Sequence, residues 1–156
     1  MPAGVTPDLT DASALARLFE PVAQHRVLGL AVSGGPDSLA LMLLARRWAD
    51  ARPNPPEFYV YSLDHGLRPE AAGEVAMVLA EAGKLGMVGR GLIWSGPRPE
   101  TGVQEAARLA RYQLIGSAMK ADGVSVLMSA HHRADQAETI LMRLAHGSGL
   151  DGLKGM

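Results

Sequence analysis

The sequence has 156 residues, of which 47% are hydrophobic and 20% are charged, and this length and composition are typical of one globular domain. It contains no cysteine, which excludes thiolate catalysis and cysteine-ligated zinc or iron–sulfur clusters built from this chain. The 15 Lys and Arg residues against 16 Asp and Glu give a formal net charge of −1, unlike the basic balance of a self-sufficient nucleic-acid-binding domain. No apolar stretch is long enough to cross a bilayer, so we expect a cytoplasmic protein without a membrane partner.

Short apolar runs alternate with longer helical patterns along most of the chain. Residues 1–24 predict a loose arm and a short helix near residues 11–20, and residues 25–156 predict one domain. Because strands and helices alternate, we expect an α/β fold: a doubly wound, mainly parallel sheet of about five strands with helices on both faces. The predicted strands cover residues 26–32, 58–63, 87–94 and 124–128, and the predicted later helices cover residues 36–49, 69–85, 103–120 and 134–146.

Polar and glycine-rich residues concentrate where the predicted strands end. In doubly wound folds ligands bind beyond the carboxyl ends of the strands. The first of these exits, residues 33–38, reads SGGPDS and lies between a buried strand and a helix. Its backbone N–H groups and the helix N-terminus can therefore face the same anion. The glycine spacing matches neither the Walker A loop nor the dinucleotide fingerprint, and an ordinary turn in which Asp37 or Ser38 caps the helix stays an alternative.

A second set of candidate metal-binding or proton-transferring side chains lies around residue 135. His132, Asp135 and Glu138 recur at spacings of three, so on a helix beginning at residue 134 they would project from one face and could place a metal ion or move a proton. The alternative is that the two carboxylates favour the positive end of the helix dipole and His132 caps the helix. A zinc site built from His131, His132 and Asp135 lacks the usual helix-borne spacing, and we do not favour it.

Two further pairs are candidates for nucleotide or phosphate contacts. Arg108 and Arg111 share one flank of their predicted helix, and guanidinium groups match phosphate geometry. The alternative is a pair of solvated surface cations. Asp64 and His65 follow the second strand, and an Asp that forms a turn before Gly66 explains the first of them equally well.

Five stretches carry a resemblance to a known family. They read AVSGGPDS at 31–38, DHGLR at 64–68, ARLARY at 107–112, HHRADQAET at 131–139 and GSGLDGLKGM at 147–156. The first resembles the pyrophosphate loop of the N-type ATP pyrophosphatases. The five together, in this order, resemble the N-terminal catalytic domain of the bacterial tRNA(Ile)-lysidine synthetase family. Another ATP-dependent ligase with this loop, such as an amidating or tRNA-thiolating enzyme, and a non-catalytic adenine-nucleotide-binding module remain alternatives.

The resemblance implies a ligase that uses ATP and Mg²⁺. ATP would adenylate the C2 carbonyl oxygen of the wobble cytidine in the CAU anticodon of tRNA(Ile), with release of pyrophosphate. The ε-amine of free L-lysine would then displace AMP and form lysidine. The resemblance leaves homodimer formation open.

The resemblance also implies roles for individual residues. The implied ATP-binding residues are Ser33, Gly34, Gly35, Pro36, Asp37, Ser38, Asp64 and His65. The implied Mg²⁺ ligands are Asp37, Asp135 and Glu138. The implied catalytic residues are Asp37, His132, Asp135, Arg108 and Arg111.

This sequence departs from the family pattern at one position. Ala134 stands where the commoner pattern has the first of two adjacent aspartates, so a role of that carboxylate does not transfer. Because family members continue into a C-terminal tRNA-binding part, we expect this chain to be one part of a longer protein.

Overall fold

The computed structural model describes residues 11–97, 99–133 and 136–143, and for residues 131–143 the description concerns the backbone alone. The helices are α1 (Ala12–Leu18), a 3-10 turn (Glu20–Val22), α2 (Pro36–Asp50), α3 (Ala71–Lys84) and α4 (Val103–Asp122). The strands are β1 (Val27–Ala31), β2 (Glu57–Asp64), β3 (Val88–Ile93), β4 (Val126–Arg133) and β5 (Gln136–Arg143). Within this part of the chain, no helix combines the length and apolar character needed to cross a membrane.

The strands form one five-stranded sheet in the order β3-β2-β1-β4-β5. β1 lies in the middle and runs parallel to both neighbours, β2 and β4. Leu28 and Leu30 on one face of β1 and Gly29 on the other face are all buried, as expected for a parallel strand that is covered on both faces. The predicted α/β fold with a mainly parallel sheet is confirmed.

The predicted helix over residues 134–146 is wrong where the structure describes it. Gln136–Arg143 form β5, which pairs antiparallel with β4. Without β5, β4 would present a row of unpaired backbone groups at the sheet edge, and intrinsic helix propensity is too weak to override such pairing. His132 and Glu138 consequently do not share a helical face: His132 is on β4, opposite Ala137, and Glu138 is on β5. Asp135 and residues 144–146 lie outside the described residues.

Two apolar clusters cover the two faces of the sheet. On one face, α1, α2 and α3 pack against Leu28, Leu30 and Val60, and the ring of Trp48 stacks on Phe19 with 4.9 Å between centroids. On the other face, α4 contributes side chains that pack on Tyr61 and Leu127. The helix α4 begins after Gly102 and ends before Gly123, both at positive φ, a conformation that glycine adopts at little steric cost.

A hydrogen-bonded group ties α4 to two strands. The Tyr61 hydroxyl donates to Asp122 Oδ2 at 3.1 Å, and the Arg90 Nη2 lies 2.7 Å from Asp122 Oδ1. Hydrogen bonding to Arg90 lowers the pKa of the Asp122 carboxyl, whereas burial raises the pKa of Tyr61. The C-terminal end of α4 is thereby attached to β2 and β3 through three side chains.

We expect Tyr61→Phe to lower the free energy of unfolding by about 1–2 kcal/mol, because it removes one hydrogen bond to a charged acceptor and leaves the ring in place. Urea denaturation followed by circular dichroism measures the change. Tyr59→Phe is the matched control, since the Tyr59 ring lies 5.5 Å from the Arg90 guanidinium carbon and persists in that variant. Equal effects of the two substitutions would contradict the assigned role of the Tyr61 hydroxyl.

Candidate functional site

A cleft of about 270 Å³ opens at the carboxyl ends of β1, β2 and β4. Its floor is formed by the ends of these strands, one wall by the middle of α4, and the opposite wall by residues 65–68 and the start of α3. The segment 33–38 reaches it through Ser33 and Ser38. Ligands of doubly wound sheets bind in this position, so the predicted location of the site coincides with the cleft.

The segment 33–38 is a loop closed by its own hydrogen bonds. The Ser38 hydroxyl accepts from the Ser33 N–H at 3.2 Å and donates to the Gly35 carbonyl at 3.0 Å. The Ser33 and Ser38 hydroxyl oxygens are 3.3 Å apart. Ser38 is buried, so the loop is held from inside rather than by solvent. This arrangement places two hydroxyl groups beside the N-terminus of α2, where an anion binds favourably.

Gly34 is needed for its backbone conformation rather than for space. Its φ is +93°, and a Cβ at this position would meet Met77 and Val78 of α3 only at ordinary contact distances of 3.6 Å. An L side chain there would be strained whatever room it had. The conformation turns the chain from β1 into α2, which begins at Pro36 immediately after Gly35.

Asp37 lies in the first turn of α2, half-buried. A carboxylate in this turn favours the positive end of the helix dipole. It is also beside the predicted phosphate loop. The N-cap residue is Gly35, which has no side chain to cap the helix, and the Ser38 hydroxyl donates to the Gly35 carbonyl.

His65 and Arg111 meet inside the cleft. Arg111 Nη2 lies 3.1 Å from His65 Nε2. Burial first, and then the charge of Arg111, lower the pKa of His65, so the imidazole is neutral at neutral pH. Because a guanidinium can only donate, Nε2 accepts and the ring proton is on Nδ1. Nδ1 is itself buried and has no hydrogen-bond partner among the described residues.

The other members of the two predicted pairs lie outside the cleft. Asp64 accepts a hydrogen bond from the Gly66 N–H at 2.6 Å. This is the turn-forming alternative to a nucleotide contact, and Asp64 does not line the cleft. Arg108 is exposed, with its guanidinium carbon 5.9 Å from the centroid of the Tyr112 ring. Since Tyr112 lines the cleft, Arg108 is at its rim.

Several cleft residues were missed by sequence reasoning. Arg68 and Glu74 face each other across 2.9 Å, and Ser129 lies on the floor. Arg68 belongs to the stretch DHGLR, and Ser129 precedes the stretch HHRADQAET by two positions. Their closeness to these stretches is the sequence feature that could have identified both as site residues. Glu74 carried no such feature, because it lies in the first turn of α3 and belongs to no matched stretch.

The predicted metal group is only partly within the described residues. Of its members, Asp37 is described with its side chain, Glu138 by its backbone on β5, and Asp135 lies outside. Among the side chains that the structure describes, no three His, Asp or Glu residues are grouped to hold a metal ion. The catalytic role of His132 and the metal roles of Asp135 and Glu138 stay predictions.

We expect His65 to make stability fall at acid pH. Its pKa is lowered from 6.5 in the folded state, so below that value the unfolded chain binds the proton more readily, and stability decreases as the pH falls. His65→Gln should reduce the loss of Tm between about pH 7 and about pH 5. An imidazole nitrogen NMR spectrum showing the proton of the neutral ring on Nε2 would contradict the assigned tautomer.

The chain is similar to a known protein family and to named proteins. The profile of a family described as PP-loop domain matches residues 7–156. The tRNA(Ile)-lysidine synthase of Bradyrhizobium sp. (strain BTAi1 / ATCC BAA-1182) is 53% identical over 140 residues, covering 90% of this chain and 39% of that protein. The enzyme of the same name from Rhodopseudomonas palustris (strain ATCC BAA-98 / CGA009) is 50% identical over 153 residues, covering 98% of this chain and 44% of that protein. The chain thus spans about two fifths of the length of these relatives, and they confirm the resemblance carried by the five stretches.

A solved structure shares the fold. The U34-tRNA thiolase NcsA from Methanococcus maripaludis, with its 4Fe–4S cluster, superposes with a TM-score of 0.64 at 11% sequence identity, covering 76% of this chain and 43% of that one. At this identity the likeness concerns the fold alone. The profile match extends over nearly the whole chain and includes the loop that closes on Ser38, and the chain belongs to the PP-loop domain family.

Proposed function

We propose that this chain is the ATP-binding, adenylating part of a tRNA(Ile)-lysidine synthase. The observation that carries the proposal is the loop 33–38, which is closed by its own hydrogen bonds and opens into a cleft at the carboxyl edge of the sheet. Support comes from the relatives of that name, which align with 90% and 98% of this chain.

In the proposed reaction the loop binds the β- and γ-phosphates of ATP. The Ser33 hydroxyl and the N–H groups at the start of α2 donate to phosphate oxygens. Ser38, whose hydroxyl proton is already donated to the Gly35 carbonyl, holds the loop in the shape that presents these donors. The cytidine C2 carbonyl oxygen attacks the α-phosphorus, and the bond to the departing pyrophosphate breaks. Because the donors of the loop face the oxygens on which charge develops as the bond breaks, they stabilise the departing pyrophosphate.

The described residues fit a magnesium ion that is bound mainly through phosphate. Mg²⁺ usually takes one or two protein carboxylates and completes its shell with phosphate oxygens and water, so a cluster of three protein ligands is not required. Asp37 in the first turn of α2 is the carboxylate beside the loop, and Asp135 and Glu138 are the further ligands in this proposal. The ion neutralises charge on the leaving pyrophosphate when it is bound.

The reactions of the tRNA cytidine and of lysine need groups on the side of the cleft opposite the loop 33–38. Arg111 is oriented by its contact with His65 and projects a cation toward the position of the nucleotide, and Arg108 at the rim is exposed to an approaching RNA phosphate. His132 and Asp135 complete the proposed catalytic set. The ε-amine of L-lysine then attacks C2, and AMP leaves with the electron pair of the broken bond.

We expect Asp37→Ala to weaken binding of ATP·Mg²⁺ by about tenfold or more, because loss of a carboxylate ligand removes at least about 1.4 kcal/mol of interaction. Calorimetric titration with GTP as a competitor measures the affinity. Asp50→Ala is the matched control, since Asp50 lies at the far end of the same helix and is paired with Arg46. Equal affinities of the two variants would remove Asp37 from the magnesium site.

Lysine transfer is tested with a hybrid enzyme. This chain is joined to the remainder of the Rhodopseudomonas palustris relative in place of its aligned 153 residues. We expect the hybrid to incorporate labelled lysine into a tRNA(Ile) transcript with a CAU anticodon, with release of AMP and pyrophosphate, and Asp37→Ala to abolish incorporation. A hybrid that binds ATP but incorporates no lysine would favour another ATP-dependent reaction or a non-catalytic nucleotide-binding module.

We expect this chain by itself to bind tRNA weakly. Affinity for nucleic acid depends on the number of phosphates that Lys and Arg neutralise, and the formal net charge here is −1. Filter binding at moderate salt measures the affinity, and tight binding that is specific for tRNA(Ile) would contradict this expectation.

A further inference from the structure

Ser129 is a buried hydroxyl on the floor of the cleft. Only 4% of its surface is exposed, and its Oγ has no hydrogen-bond partner among the described residues. A buried hydroxyl normally finds a partner, and leaving one unsatisfied is unfavourable. The orphaned group therefore needs an explanation, and its position in the cleft indicates a ligand.

The strand register places Ser129 at a defined distance from the phosphate loop. Ser129 pairs with Ala31 on β1, and Ala31 pairs on its other side with Tyr61. Ser33 follows Ala31 by two residues, which corresponds to roughly 7 Å along a strand. A nucleotide whose phosphates are bound beside Ser33 and which extends along the floor of the cleft can therefore reach Ser129.

The surroundings of Ser129 favour a flat heteroaromatic ring. The cleft here is lined by the apolar surfaces of Ala31, Tyr61, Ile115 and Leu127. Pockets of this kind bind apolar or aromatic groups and use a small number of polar atoms for selectivity. A serine hydroxyl both donates and accepts, so it can pair with a ring nitrogen or an exocyclic amine.

We propose that Ser129 is a specificity-determining residue that hydrogen-bonds to the base of the bound nucleotide. The inference rests on the proposed function, since it assumes that the loop binds the phosphates of ATP. In the free chain the hydroxyl has no partner among the described residues, and in the complex the base edge supplies one. Ser129 thus contributes to affinity for ATP and nothing to the stability of the free domain.

The test separates the base from the phosphates. Ser129→Ala is expected to weaken ATP binding about threefold to tenfold, the equivalent of one net hydrogen bond, and to leave binding of inorganic tripolyphosphate unchanged. Ser38→Ala, which alters the loop, is expected to weaken both ligands. Calorimetry with each ligand gives the two affinities, and urea denaturation confirms that each variant is folded.

Ser62 provides a matched control. It is a serine on β2 with 1% of its surface exposed, and its Oγ likewise has no partner among the described residues. Since side chains alternate along a strand, Ser62 faces the same side as Phe58 and Val60, in the cluster covered by α2 and α3, and it does not line the cleft. Ser62→Ala and Ser129→Ala should both be at least as stable as the unmodified chain, and only Ser129→Ala should affect ATP binding.

Three outcomes would overturn the inference. If Ser129→Ala leaves ATP affinity unchanged, the hydroxyl does not contact the nucleotide, and the proposed function is unaffected. If the effect of Ser129→Ala disappears with 2′-deoxy-ATP or 3′-deoxy-ATP, the hydroxyl contacts the ribose and not the base. If the unmodified chain binds tripolyphosphate but not ATP, or neither, the proposed function fails and this inference fails with it.

Discussion

The candidate site depends on the pair of hydrogen bonds through which Ser38 closes the loop that leaves β1. Its hydroxyl accepts from the Ser33 N–H and donates to the Gly35 carbonyl, so one buried side chain holds both ends of the turn. The loop can take this form because Gly34 adopts a φ of +93°, which few other residues tolerate. An anion-binding site held in this way needs little reorganisation when a ligand arrives, and preorganised donors contribute most to binding developing charge.

The cleft that receives this loop has two chemically different ends. Hydroxyl groups and a helix N-terminus meet at one end, whereas the floor between β1, β2 and β4 is apolar apart from Ser129. Tyr61 belongs to this floor and to the group that ties the end of α4 to the sheet. The wall formed by the middle of α4, which carries Arg111, is therefore positioned by an interaction at the C-terminal end of the same helix. The side chain of Tyr61 therefore contributes both to the stability of the fold and to the position of the cleft wall.

Much of the fold could be predicted from local pattern. The strands β1, β2 and β3 and the helices α2, α3 and α4 occur within a few residues of their predicted bounds, because their apolar periods, glycines and prolines are local signals. The segment Gln136–Arg143 could not be predicted in this way. Its composition suits a helix, and its pairing with β4 depends on an edge that exists only once the sheet has formed. For the same reason, the spacing along the chain does not place His132 and Glu138 on one helical face.

By itself, the sequence determined the order of strands and helices as far as β4, the glycine and serine content of the loop 33–38 and the edge of the sheet at which the cleft lies. These features follow from chain order and from residues adjacent in sequence. Only the tertiary structure decided that Arg111 meets His65 while Arg108 stays at the rim, that Glu74 faces Arg68, and that Ser129 is buried in the cleft without a partner among the described residues. Each of these depends on which side chains the packed elements bring together, and residue spacing along the chain carries no information about such contacts.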